Sequence, residues 1–98
     1  MKTLPEFALI LEPRSPDATS RSGFKWVSGA IGKRHKLGGQ PDFIQGREWP
    51  TCPECAEEMS FIAQIDSLND EFCFVDCGMI FVFYCFECEE SHASVQSY

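Results

Sequence analysis

Two Cys-x-x-Cys pairs, Cys52-Pro53-Glu54-Cys55 and Cys85-Phe86-Glu87-Cys88, stand 29 residues apart in a chain of 98. Four thiolates that meet at one point make a tetrahedral site for Zn²⁺, with Zn–S distances of about 2.3 Å. In a plain strand, residues three apart point to opposite faces, so each pair needs a tight turn before its two sulfurs can converge. Pro53 favours such a turn by fixing its φ angle, and backbone N–H groups in the turn can donate to the sulfurs. The interval is longer than that of a usual zinc ribbon and has room for a hairpin or an extra strand. A four-thiolate site has no open position for water, so one ion on Cys52, Cys55, Cys85 and Cys88 would be structural and not catalytic. Binding at such sites is worth on the order of 10 kcal/mol, comparable to the whole stability of a small domain. Two other chemistries fit the same residues. A single pair can act as a thioredoxin-like redox dithiol, and four-cysteine sites also hold iron.

The remaining reactive residues are less organised. Cys73 and Cys77 flank Phe74-Val75-Asp76 and read as small buried hydrophobes, with a second metal as the alternative. His92 lies four residues after Cys88; it reads as packing near the site, or as a replacement for one cysteine ligand. His35, among Lys33, Arg34 and Lys36, reads as a surface residue. Several motifs fail. Gly29-Ala30-Ile31-Gly32-Lys33 would need a glycine at Val27 and a Ser or Thr at Arg34 to be a phosphate loop. Gly29 to Gly32 matches the GxxG of a KH domain without its helical surroundings. The zinc-deaminase signature breaks at Leu37, where it needs Glu, and at Thr51. No Ser-His-Asp set is apparent, so the expectation is a protein that is not an enzyme.

These residues must be positioned by a short chain. At 98 residues and 44% hydrophobic content, it has the size of a single domain (1–98) with a thin core. No apolar run approaches the roughly 20 residues of a membrane span, and the first ten residues do not have the pattern of a signal peptide. The expected compartment is cytoplasmic, where thiols stay reduced, which favours metal binding as the use of six cysteines. Strand signals fall at 4–11, 24–27 and 59–65, at 79–85, which is β-branched and aromatic, and at 92–96, which would pair back on it. A helix through 55–64 competes with the third of these. Residues 13–23 read as an exposed loop, 28–42 as a long irregular segment and 66–71 as a turn. The expected fold is therefore mainly β, with β-rich α+β as the alternative: a small antiparallel sheet carrying a zinc-ribbon-like site.

Charge is divided along the chain. Residues 1–47 hold all eight Lys and Arg and carry a net of +4, while residues 48–98 hold eleven acids and no Lys or Arg. Such a surface repels phosphate backbones and suits a basic protein partner; it also serves solubility alone. Nucleic-acid binding through Lys33, Arg34, Lys36 and Arg47, with Trp26 for stacking, is the weaker alternative. Nothing in the sequence points to an oligomeric state.

Three stretches carry a resemblance. They are Leu37-Gly38-Gly39-Gln40-Pro41-Asp42-Phe43-Ile44-Gln45 with Trp49-Pro50, then residues 59–66 (MSFIAQID), then residues 76–83 (DCGMIFVF). Their order resembles the YwqG-like family of mostly uncharacterised bacterial proteins. With the cysteine pairs it is similar to the zinc-containing domain of programmed cell death protein 2. The resemblance covers residues 37–98. It implies a β-rich fold in which Gly38, Gly39 and Pro41 make a turn and Trp49 and Gln64 brace the sheet. It also implies a protein-binding role, since the eukaryotic relatives act as chaperones for a ribosomal protein and YwqG-like proteins occur among proposed toxin-immunity proteins. The expected function is a non-enzymatic interaction module of adaptor, chaperone or immunity type, with thiol redox or metal sensing as the alternative.

Overall fold

The computed structural model describes residues 2–12, 14–16, 33–68, 73–74 and 78–97. Among the described residues the strands are five: β1 (Phe7–Ala8), β2 (Lys36–Leu37), β3 (Ser60–Asp66), β4 (Met79–Cys85) and β5 (Glu90–Gln96). They form one sheet in the order β1-β2-β3-β4-β5, every neighbour antiparallel. The expected mainly-β antiparallel architecture is the one observed. The competing helix through 55–64 does not form; residues 60–64 belong to β3. The expected strand at 24–27, Cys77 and most of the loop at 13–23 lie outside the described residues.

β4 follows its sequence pattern closely. Met79, Phe81, Phe83 and Cys85 are buried, while Ile80, Val82 and Tyr84 between them are half-buried. This is the two-residue period of a strand with one core-facing side. β5 starts at Glu90, two residues before its sequence signal, because Cys85 and Glu90 form the last pair of the β4–β5 ladder. The strand expected over 4–11 shrinks to Phe7–Ala8, which pairs with Leu37 and Lys36. Pro5 lacks an N–H to extend it.

In β3 the alternation changes phase. The register with β4 shifts between Phe61 and Ala63, so Ile62 is the extra residue of a β-bulge. Phe61, three residues before Gln64, is therefore buried together with Gln64 and Asp66, while Ala63 and Ile65 are only half-buried. An unbroken two-residue period would instead put Phe61 on one face with Ala63 and Ile65. On the other side of β3 the Gly38 N–H donates to the Ile62 carbonyl at 2.7 Å, one step beyond the Leu37–Ala63 pair. Gly38 and Gly39 have φ of 74° and 71°, a region that glycine enters without a Cβ penalty. A Cβ on Gly38 would collide with the Pro5 carbonyl.

The core lies on one face of the sheet and is closed by a coil. Cys52, Met59, Phe61, Met79, Phe81, Phe83 and Cys85 are buried, and Phe43, Ile44, Trp49 and Cys88 pack against them. The rings of Phe43 and Phe81 are 5.2 Å apart, those of Trp49 and Phe83 5.6 Å and those of Phe61 and Phe83 5.5 Å. Such spacings add to the area term of burial.

A coil that covers a sheet leaves backbone N–H groups to be satisfied. Two buried glutamines do this. The Gln96 Oε1 accepts from the N–H of Ile44 (2.7 Å) and of Gln45 (3.0 Å), and its Nε2 donates to the Gly46 carbonyl (2.8 Å). The Gln64 Oε1 accepts the Asp42 N–H (3.0 Å), and its Nε2 donates to the Arg34 carbonyl (2.8 Å) and the Asp42 carboxylate (2.9 Å). Trp49 adds an N–H bond of 2.7 Å to the Met59 carbonyl. The implied bracing by Trp49 and Gln64 is thus seen in their bonds.

A second polar cluster lies beside it. Asp66 is fully buried and accepts from the Arg34 guanidinium at 2.8 and 2.6 Å. The Asp66 N–H donates to His35 Nδ1 at 3.0 Å. His35 is 5% exposed, which corrects its reading as a surface residue: its ring takes over a backbone donor that the sheet leaves at β3's end. Ser67 joins the segments after β3 by donating to the Gly78 carbonyl (2.7 Å) and accepting from the Phe74 N–H (2.9 Å).

Candidate metal centre

The two cysteine pairs occupy two turns of the same design. In the second, the β4–β5 hairpin itself makes the turn, with Cys85 paired to Glu90 and the Glu89 N–H donating to the Cys85 carbonyl at 2.8 Å. In the first, the Cys52 N–H donates to the Glu57 carbonyl and the Ala56 N–H to the Cys52 carbonyl, both at 2.8 Å. A bridge between Thr51 and Glu58 and a bond of 3.0 Å from the Met59 N–H to the Pro50 carbonyl close its base. The residue after each second cysteine is left-handed, Ala56 with φ of 63° and Glu89 with φ of 59°. That conformation reverses the chain directly after Cys55 and Cys88. It lets both sulfurs of a pair point the same way, which an extended strand forbids. Sequence reading saw the cysteines and missed these two residues; the signal available was their matching place one step beyond each pair.

The turns face each other across the sheet's end. One sulfur from each of Cys52, Cys55, Cys85 and Cys88 lies within 4.8 Å of all the others. Cys55 Sγ and Cys85 Sγ are 3.8 Å apart. A tetrahedron with metal–sulfur distances of about 2.3 Å has sulfur–sulfur edges of about 3.8 Å, whereas a disulfide requires about 2.05 Å. The donors thus fit a metal ion by number, by element and by spacing. Burial is uneven: Cys52 and Cys85 are buried in the core, Cys88 is half-buried and Cys55 is exposed. The sequence-predicted residues the structure does not bring in are Cys73, half-buried outside the four-cysteine group, and His92, exposed on β5 opposite Phe83.

The surroundings of the thiols shift their proton affinities in different directions. The Cys55 N–H, helped by the Glu54 N–H at 3.4 Å, holds Cys52 below the usual thiol range against the opposing effect of burial. At Cys55 the Glu57 N–H also acts downward, but burial and the Cys52 and Cys85 thiols outweigh it and raise the group. Burial first, and then hydrogen bonding with Cys52, Cys55 and Cys85, pushes Cys88 up to about 12. Without a cation, burial and the neighbouring thiols thus oppose ionisation at Cys55 and Cys88. A divalent ion at the centre reverses this and displaces the protons.

Three of the four cations once considered for nucleic acid, Arg34, Lys36 and Arg47, are engaged with carboxylates. Arg34 bonds Asp66, Lys36 Nζ lies 3.0 Å from both Glu6 and Asp42, and Arg47 lies 2.6 Å from Glu58. Among the described residues no helix is long and apolar enough to cross a membrane.

Residues 35–94 match a family model described as "Domain of unknown function (DUF1963)". The uncharacterized protein YpfL of Salmonella typhimurium is 38% identical over 61 residues, which are 62% of this chain and 14% of that protein. The chain therefore spans only a small part of the length of that curated relative. No solved structure matches the chain.

Proposed function

The chain belongs to the DUF1963 family, and on that premise we propose that it is a non-enzymatic protein-interaction domain stapled by one structural zinc ion on Cys52, Cys55, Cys85 and Cys88. The observation that carries the staple is the convergence of four sulfurs within 4.8 Å from two matching turns. Zinc is the ion of choice because four soft thiolates in a tetrahedral array suit it, and iron is the competitor. A site with every position filled by sulfur has no place for substrate or water, so its work is to hold the fold. A reducing, cytoplasmic setting agrees with thiols, not disulfides, at Cys52, Cys55, Cys85 and Cys88.

The interaction role is supported by charge. Glu54, Glu57, Glu58, Glu87, Glu89 and Glu90 all lie on or beside the two turns, and a Zn²⁺ with four thiolates adds two more negative charges. A basic protein surface is the complementary partner, in keeping with an adaptor, chaperone or immunity role.

The test is metal analysis with thiol counting on the purified native chain. One zinc per chain, and four thiols that react only after chelation, is the expected result. A Cys-x-x-Cys pair that reacts at once in the native chain would instead establish the redox reading. Crosslinking at low salt should then recover a basic protein partner; recovery of none refutes the interaction role and leaves the zinc staple standing.

A further inference from the structure

A groove of about 280 Å³ lies beside the metal centre, with Cys55, Cys85, Glu57, Glu87 and Phe86 among its lining residues. A lysine already lies in it. The Lys2 Nζ sits 4.7 Å from the centroid of the Phe86 ring, and the Lys2 N–H donates to Ser60 Oγ at 2.9 Å. Phe86 is 43% exposed, and Tyr84 meets its ring edge-on, with centroids 4.9 Å apart at 86°. An aromatic face with carboxylates around it attracts an ammonium or guanidinium group through the ring quadrupole and through Coulomb attraction. Lys2 itself is exposed, so an incoming cation can displace it without disturbing the core.

We propose that this groove is a recognition site for a lysine or arginine side chain on a basic segment of another protein, and that Lys2 is its resident stand-in. The inference rests on the protein-binding reading above and assigns it a place. The groove supplies three elements that recognise such a side chain. The Phe86 face takes the cation, Glu57 and Glu87 supply counter-charge, and the loaded metal centre contributes a fixed negative charge at Cys55 and Cys85. Nucleic acid is excluded as an occupant by the sign of that charge.

The experiment is a titration of the zinc-loaded chain with a capped tetralysine peptide at low salt, followed by amide NMR, with a capped tetraglutamate peptide as control. The expected result is binding of tetralysine alone, with shifts centred on Phe86, Glu87 and Ser60. Phe86→Leu, which changes no charge, should weaken binding about two- to fivefold, the size of one exposed cation–π contact. Lys2→Gln, which removes the competitor, should tighten it by a similar factor. Both variants should keep one zinc and the parent melting temperature, because neither residue is in the core. Failure of the parent to bind tetralysine overturns the proposal. So does Phe86→Leu binding as tightly as the parent, or shifts centred away from the groove. A basic protein partner that binds indifferently to both substitutions would remove the groove and leave the interaction reading intact.

Discussion

Replacing Cys52 with serine should unfold this domain, and the structure gives the size of the effect. Cys52 is 1% exposed and belongs to the core cluster with Met59, Phe61 and Phe83, while its sulfur is one of four within 4.8 Å. Loss of a four-thiolate ion forfeits on the order of 10 kcal/mol. Small domains have about 5–15 kcal/mol in total. A buried serine hydroxyl in an apolar surrounding adds about 1–3 kcal/mol more. Together these exceed what a single-faced sheet with one aromatic cluster can absorb. Zinc content, near-ultraviolet circular dichroism and thermal melting report the outcome. Trp49 is the natural probe, since its ring lies 5.6 Å from Phe83 and its N–H bonds the Met59 carbonyl. The expected Cys52→Ser chain holds no zinc, loses its aromatic dichroism and melts without a cooperative step. Cys73→Ser, outside the group, should keep zinc and the cooperative melt. A metal-free Cys52→Ser chain with the parent's aromatic dichroism and cooperative melt would refute the reasoning.

Three further outcomes are expected. Gln96→Leu leaves the N–H groups of Ile44 and Gln45 and the Gly46 carbonyl without their partner. Gln45 and Gly46 are exposed and can turn to water, while Ile44 is half-buried; at about 1–3 kcal/mol for a buried unmet group, the change should lower stability by about 1–3 kcal/mol in denaturant titration and speed amide exchange first at Ile44 and Gln45; unchanged exchange there would contradict the clamp. Glu89 is held at φ of 59°, so Glu89→Gly should be neutral or stabilise by up to about 1 kcal/mol and Glu89→Val should destabilise by more than that, an order that chemical melts can reverse if the turn is misread. Zinc affinity should fall steeply as pH drops, because binding must expel protons from Cys55 and from Cys88, whose thiol is pushed up to about 12. The slope should be about tenfold per pH unit for each proton released, visible in competition with a chelator. Any residual metal-free fold has the opposite slope: a raised thiol gives its stability below about pH 8.5 and surrenders it as the pH climbs towards 12. Affinity independent of pH between 6 and 8 would exclude proton release.

Much of the site could be read from the chain alone, because ligand chemistry is written in residue type and spacing. Two Cys-x-x-Cys pairs name the donors, and the alternation of β4 names the strand that delivers Cys85. The turn at Gly38 and Gly39 was equally legible, since a backbone near φ of 70° selects glycine locally. What escaped was whatever depends on partners distant in sequence. His35 looked like one more residue in a basic, exposed run, but Asp66, 31 residues away, claims its ring. Gln96 looked like a polar end to the last strand, yet it holds a coil some 50 positions earlier.

The sequence by itself therefore determined the donor set, the β class and the charge divided between the two halves, all of which follow from local composition and period. Only the tertiary structure decided how the donors meet. The bulge at Ile62 turns Gln64 and Asp66 inward, and one residue's change of phase is invisible to a two-residue period. The left-handed Ala56 and Glu89 are neither glycine nor asparagine, so no local preference announces them. They adopt that conformation because two hairpin turns must aim four sulfurs at one point, a condition that exists only once both turns are folded against each other.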